Sequence, residues 1–234
     1  MERREALAVW FVVGGLAVLG VGIMLAIQPR NPVGSRVPTM QLAGDALHVT
    51  KGSVLPGGVV NVPTFRAVAP GTTGNAMAVV FVSLGGSLVQ RALASGQERR
   101  QIGIKLRAAN GCNLIYVMWR LDPVPELEVS IKMNPGKHVH AECGIGGYTK
   151  VHPTTHTTIP EIVAGQTHSL HAEVVGTELF AWIDGRLVWQ GALPQGAMEL
   201  AGPSGIRSDN LSYRIVSLRA PIGKPFRVNA DDED

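Results

Sequence analysis

At 234 residues the chain has room for one domain of ordinary size plus a short appendage. Hydrophobic residues at 45% and charged residues at 17% describe a globular composition, and a net charge of +3 with scattered basic residues, none forming a stripe interleaved with aromatics, argues against nucleic acid as a partner. Glycine at 28 and proline at 15 punctuate the chain as often as many short strands joined by turns require.

Residues 1–5 form a short polar stub carrying Arg3 and Arg4. Residues 6–27 then run without one charge, and as a helix they would span roughly 33 Å, near the thickness of bilayer hydrocarbon. This predicts a single transmembrane α-helix, with the lipid bilayer as its first partner. The alternative is a cleaved secretory signal, whose apolar core is normally shorter and ends in small residues; here Met24 precedes Ala26. Basic residues are nearly balanced across the span, with Arg30 and Arg36 beyond it. The stub is too short to fold and the remainder reads as exported. The expected arrangement is therefore a single-pass inner (cytoplasmic) membrane protein, N-terminus inside, with a periplasmic or extracellular domain. Gly14, Gly15, Gly20 and Gly22 would give the helix a smooth face for packing against another span.

Residues 28–43 contain Pro29, Pro32, Gly34 and Pro38 without an apolar period, and read as an extended linker. The domain is expected over 44–222, followed by a tail over 223–234 that ends in four acidic residues. Strands are predicted at 47–50, 59–62 and 76–84. Residues 87–94 form either a short helix or a loop over a sheet. Ile102, Ile104, Leu106 and Ala108 alternate with Gly103, Lys105 and Arg107, and Leu127, Val129, Ile131 and Met133 alternate with Glu126, Glu128, Ser130 and Lys132. Each alternation is a strand with one face in a core and one in water. Residues 113–121 are apolar on both faces and belong in a central strand or beneath another layer. Further strands follow at 169–175, 178–183, 186–191 and 213–219. Asp184-Gly185 carries the strongest hairpin signal in the chain. With no long amphipathic helix, the pattern predicts an all-β fold: an antiparallel two-sheet sandwich.

Cys112 and Cys143 are the only cysteines. Outside the cytoplasm such a pair is most simply one disulfide; the other reading is two buried thiols. Six of seven histidines fall between His138 and His171. His138 and His140 would share a face if their segment were a strand, and His168 with His171 form a further pair. None has the spacing of a metal site, so no metal is predicted, and these four stand only as candidate ligands.

Three segments carry a resemblance: IGIKLRAANGCNLIYVMWRL at 102–121, GQTHSLHAEVVGTELFAWIDGRLVWQG at 165–191 and GPSGIRSDNLSYRIVSLRA at 202–220. Together they resemble the concanavalin A-like lectin/glucanase superfamily, especially its laminin G-like jelly rolls. The resemblance implies a jelly-roll sandwich; its motifs mark the fold and not an active site.

Three classes of function follow. Glucanases of that superfamily carry Glu-x-Asp-x-x-Glu on one strand. Here Glu126-Leu-Glu128 continues into Ser130 and Lys132 without a third acid, so no catalytic residue is carried over and no enzyme is predicted. A lectin would offer an aromatic platform among polar groups, for which Trp182, Tyr148, Asp209 and Asn210 are the candidate ligand-binding residues, with glycans as partners and calcium as the one conceivable cofactor. The first expectation is a non-catalytic accessory subunit bound to other membrane-protein subunits; a carbohydrate-binding module is the alternative. An open groove with an exposed Trp or Tyr and converging polar groups favours the module, and a filled groove favours the subunit.

Overall fold

A computed structural model describes residues 39–42 and 46–227. The apolar run 6–27 with Gly14, Gly15, Gly20 and Gly22 lies outside the described residues, as does the acidic end of the tail from 228 onward. Among the described residues no helix is long and apolar enough to cross a membrane.

Strands numbered in chain order form two antiparallel sheets. The first runs β1 (Thr39–Leu42), β15 (Leu211–Pro221), β5 (Ala76–Gly86), β11 (Thr167–Val175), β12 (Glu178–Ile183), β13 (Arg186–Ala192) and β10 (Thr155–His156), with β3 (Val59–Val60) also paired to β15. The second runs β2 (His48–Lys51), β4 (Thr64–Ala69), β14 (Ser204–Asp209), β6 (Arg100–Asn110), β7 (Asn113–Asp122), β8 (Glu126–Met133) and β9 (Tyr148–Val151). Their inner faces interdigitate into one core. Phe81 of the first sheet meets Trp119 of the second edge-on, centroids 6.2 Å apart, and Phe65, Ile104, Ile131, Leu170, Ile183 and Tyr213 are fully buried around them. The expected all-β two-sheet sandwich is the fold that forms.

Local chemistry explains the register. Asp184 and Gly185 have φ of 49° and 78°, the paired positive values of a tight hairpin turn between β12 and β13. Asp184 holds the turn further: its Oδ1 accepts from the Ser169 amide at 2.7 Å. Residues 113–121 are indeed central, with Ile115, Val117 and Trp119 in the main core and Leu114, Tyr116 and Met118 in a second cluster on the opposite face.

Three expectations are corrected. Ala108 does not continue the inward alternation of Ile102, Ile104 and Leu106. Arg107 has φ of 50°, pairing with β7 skips from Leu106 to Asn110, and Ala108 joins Leu114 and Tyr116 on the outer face. Three residues of β6 between these pairs lie opposite the single Leu114 of β7, and this bulge turns Ala108 outward. Thr39–Leu42, placed by composition in the linker, is an edge strand on β15. Finally, the polar face of β8 is not simply in water: Ser130 is 7% exposed and Lys132 is fully buried. Segments from 87–99, an irregular loop, and from the stretch before β9 contribute to the walls over this face, which a strand's own period cannot reveal.

Candidate functional site

The outer face of the second sheet carries a groove of about 480 Å³. Alternate positions of successive strands supply it: Thr64 and Arg66 from β4, Arg207 and Asp209 from β14, Gln101 from β6, Tyr116 and Met118 from β7, Glu128 and Ser130 from β8, and Tyr148 and Lys150 from β9. Lys51 of β2 also lines it. Residues 92–95 and Arg99 of the loop, with His140 and Ile145 from the stretch before β9, form the walls.

Two glycines let long side chains lie low across this face. A Cβ at Gly103 would fall 2.3 Å from Met118 Sδ and 2.5 Å from the Val117 carbonyl oxygen. One at Gly205 would fall 2.2 Å from the Ala67 carbonyl oxygen and 3.0 Å from Lys105 Cε. Glycine at both positions leaves room for Met118 and Lys105 over the strands, and Lys105 is fully buried.

Charge in the floor is organised around Asp209, which is fully buried. Its Oδ2 accepts from Arg207 Nε at 3.0 Å and from Gln101 Nε2 at 2.7 Å. Burial disfavours the Arg207 cation, but the Asp209 charge and the Tyr116 and Tyr148 phenols outweigh it and raise its pKa well above the ordinary value. Its guanidinium also lies over the Tyr116 ring, 5.1 Å from the centroid. Because the Gln101 amide nitrogen is committed to Asp209, its Oε1 points the other way; this atom is buried and has no hydrogen-bond partner among the described residues.

The aromatic wall is Tyr148. It is half-buried, stacks on Tyr116 at 6.0 Å, and carries Lys132 Nζ 4.8 Å from its ring centroid. His140 meets its edge at 6.3 Å. Burial and then the charges of Lys132, Arg66, Arg207 and Lys51 push the His140 pKa down from 6.5 to about 4. Since the folded value lies below the unfolded one, the unfolded chain takes up the proton first. The contribution is fully present above pH 6.5 and is lost as the pH falls from there toward 4. Denaturant unfolding measured between pH 7 and pH 4 should therefore show stability falling through this window. His140→Gln should flatten that slope; an unchanged slope would assign the acid sensitivity elsewhere.

The stretch bearing His140 is fixed from several sides. Cys112 and Cys143 form a disulfide that joins the β6–β7 turn to the short helix α1 (His140–Cys143). Asn134 Nδ2 donates to the carbonyls of Cys112 and Gly147, both at 3.0 Å. Glu142 Oε2 accepts from the amides of His138 at 2.6 Å and Val139 at 3.2 Å ahead of the helix, and these bonds lower its pKa.

The four ligand-binding candidates separate. Tyr148 and Asp209 both line the groove. Asn210, 1% exposed with φ of 54°, turns away to the loop: its Oδ1 accepts from the Arg91 amide at 2.8 Å, and its Nδ2 donates to the carbonyls of Arg91 at 2.8 Å and Arg99 at 3.0 Å. Trp182 sits on β12 of the other sheet. His171 stacks on it at 4.7 Å and Phe180 at 5.9 Å, so its neighbours already occupy its ring.

The histidine pairs dissolve as well. On β11, His168 and His171 are three residues apart and point to opposite faces. His168 is buried beside Phe81 and Trp119 with Nδ1 3.0 Å from Asp184 Oδ2. His138 is exposed beside Asn110, and the turn into α1 separates it from His140. Among the described residues no three His, Cys, Asp or Glu side chains converge as a metal or calcium site would need.

Sequence reading missed Arg66, Gln101, Tyr116 and Arg207. The available signal was polar residues at alternate positions beside Gly103 and Gly205 on strands of one sheet, a pattern that otherwise reads as a solvated face.

No family model matches the sequence, and no curated protein does. Among solved structures, the chain is similar to the carbohydrate-binding module CBM66 from Bacillus subtilis at 11% identity, over 77% of this chain and 96% of that one, with a TM-score of 0.49. A tetrameric galectin from Cinachyrella sp. matches at 15% identity over 68% and 99% of the two chains, TM-score 0.42. The Crh5 transglycosylase in complex with NAG matches at 14% identity over 80% and 85%, TM-score 0.43. At this distance they carry no argument about what the present chain binds, which rests on the groove itself.

Proposed function

We propose that the domain is a non-catalytic saccharide-binding module of the concanavalin A-like kind, with its ligand in the groove of the second sheet. The carrying observation is Gln101 Oε1, a buried acceptor with no partner among the described residues, in a cleft that also offers Tyr148 and ionic groups already set in place. An unmet buried acceptor costs about 1–3 kcal/mol, which a ligand hydroxyl would recover. An aromatic wall with oriented polar groups suits a sugar, whose ring has apolar faces and a polar rim.

The acids of this region are engaged in ways that do not favour acid–base work. Glu126 pairs with Arg120 and, at 3.0 Å, with Lys150. Burial alone would raise its pKa, but those two partners outweigh it and leave the carboxyl below its usual value, opposite to what a general acid needs. Glu128 lies within 3.6–3.7 Å of Lys150, Arg99 and Arg120. The open groove favours the binding module over the accessory subunit, for which it should be filled. Presentation outside the cytoplasm by residues 6–27 rests on the apolar character of that run.

Calorimetry on the full-length chain with a panel of oligosaccharides tests this reading. Tyr148→Ala and Gln101→Ala are each expected to weaken a bound saccharide roughly tenfold or more, about 1.4 kcal/mol. Binding untouched by both substitutions would place the ligand elsewhere.

A further inference from the structure

Within that saccharide-binding reading, on which this inference rests, the groove does not stop at β9. A second cleft, of about 620 Å³, adjoins it between the β8–β9 end of the second sheet and the β13–β10 end of the first. The sequence makes this opening. Pairing of β9 with β8 runs only from Tyr148↔Lys132 to Val151↔Val129, and Pro153, which has no N–H to carry a ladder on, follows as the chain crosses to β10. Residues 126–128 of β8 therefore extend past β9 and border the cleft. Its floor is the buried Leu127, Val151, Val188 and Trp189, and its rim includes the exposed His152 and Thr158. An apolar floor under a polar rim suits a sugar ring as the groove does.

Glu128 and Lys150 line both clefts, so the two meet across β8 and β9. The sheet register joins them as well. Asp209, Gln101, Arg120 and Glu126 are successive cross-strand partners on β14, β6, β7 and β8, one row on the outer face. Gln101, with its buried acceptor, stands on this row in the groove, and Glu126 ends it in the second cleft. Two strand spacings, about 10 Å, separate the two backbones, more than a single pyranose ring can bridge. Between them stands a ledge of paired ions. Lys150 lies 3.0 Å from Glu126 and 3.6 Å from Glu128, and Arg120 pairs with both carboxylates. Lys150 is exposed and Glu126 partly so, and each keeps hydrogen-bonding capacity beyond its ion pair: a carboxylate has about four acceptor sites and an ammonium three donors.

We infer that the two clefts form one binding path for an oligosaccharide of several units. One unit occupies the groove, with a hydroxyl donating to Gln101 Oε1. The chain then crosses the ledge, where its hydroxyls donate to Glu126 and accept from Lys150, and further units lie over Leu127 and Trp189 in the second cleft. A mono- or disaccharide fills the groove alone.

The test is calorimetry on the full-length chain with cello-, laminari- and chito-oligosaccharides, each as the disaccharide and the hexasaccharide. In whichever series binds, the hexasaccharide is expected to bind roughly tenfold or more tighter, because its further units are delivered to the second cleft by the first. Thr158→Trp, at an exposed position on the rim of the second cleft and outside the groove, should abolish that gain and leave disaccharide affinity unchanged. As a readout that needs no variant, the imidazole NMR signals of His152 and His156, which line the second cleft, should move with the hexasaccharide and not with the disaccharide, while that of His140 in the groove moves with both. Equal affinity for the two lengths, a gain that survives Thr158→Trp, or His152 and His156 signals unmoved by the hexasaccharide would overturn the inference and leave the saccharide reading standing. No binding by any probe would overturn both.

Discussion

Asp209→Ala is expected to cost about 3–5 kcal/mol of stability, because it leaves the Arg207 guanidinium buried without its counter-charge. Arg207 is 8% exposed and Asp209 not at all, so water cannot take over the lost contact without rearrangement. Gln101 loses its acceptor in the same step. For a domain of this size the thermal midpoint should fall by on the order of 10 °C. The double replacement Arg207→Met with Asp209→Leu removes both charges and should recover most of the loss, since a buried ion pair contributes little net stability against apolar side chains of similar volume. The same double variant should still weaken the proposed saccharide binding, because Asp209 is what holds the Gln101 amide in place. Chemical denaturation of the single and double variants decides the matter: a single variant within 1 kcal/mol of the parent would mean the floor is more hydrated than its geometry implies.

Opening the Cys112–Cys143 disulfide should have nearly as large an effect, and of two kinds. The bridge closes a loop of 31 residues, and loss of that restraint on the unfolded chain is expected to cost about 3–4 kcal/mol. The enclosed stretch also carries His140, and Ile145 and Tyr148 follow directly, so part of the groove wall depends on the bond. Asn134 still ties Cys112 to Gly147 by backbone carbonyls, so the paired Cys112→Ser and Cys143→Ser variant should remain folded under mild conditions. Its saccharide affinity should nevertheless drop by roughly tenfold or more, about 1.4 kcal/mol. Equal affinity in oxidised and doubly substituted protein would show that the wall is held without the bridge.

Much of the fold was legible because it depends on neighbours along the chain. The alternation at Leu127, Val129, Ile131 and Met133, the two-sided apolar run at 113–121 and the turn at Asp184-Gly185 each express a local preference, and each appears as expected. The bulge at Arg107 was not legible, because nothing in Leu-Arg-Ala-Ala distinguishes a continuing strand from one that skips a position. The groove was hidden for a different reason. Lys105, Lys132, Arg207 and Asp209 occupy positions that in an isolated strand would face water. Their burial comes from side chains lying across Gly103 and Gly205 and from two segments distant in sequence. Periodicity reports which side of a sheet a residue takes, not what is laid on top of that side. The histidines failed as pairs on similar grounds: a spacing of three separates His168 from His171, and a helical turn replaces the strand assumed at 138–140.

The Asn210 side chain, gripping the backbone at both Arg91 and Arg99, has a bearing on how such a cleft can diversify. Its three bonds reach main-chain atoms only, so they are indifferent to the identities of residues 92–95 between the anchor points. The rim can therefore vary in sequence while its footing stays put, and the pavement of charged and aromatic groups beneath is left undisturbed. Aperture and floor are in this sense specified separately: the residues that rim the cleft can change while the groups at its base stay as they are.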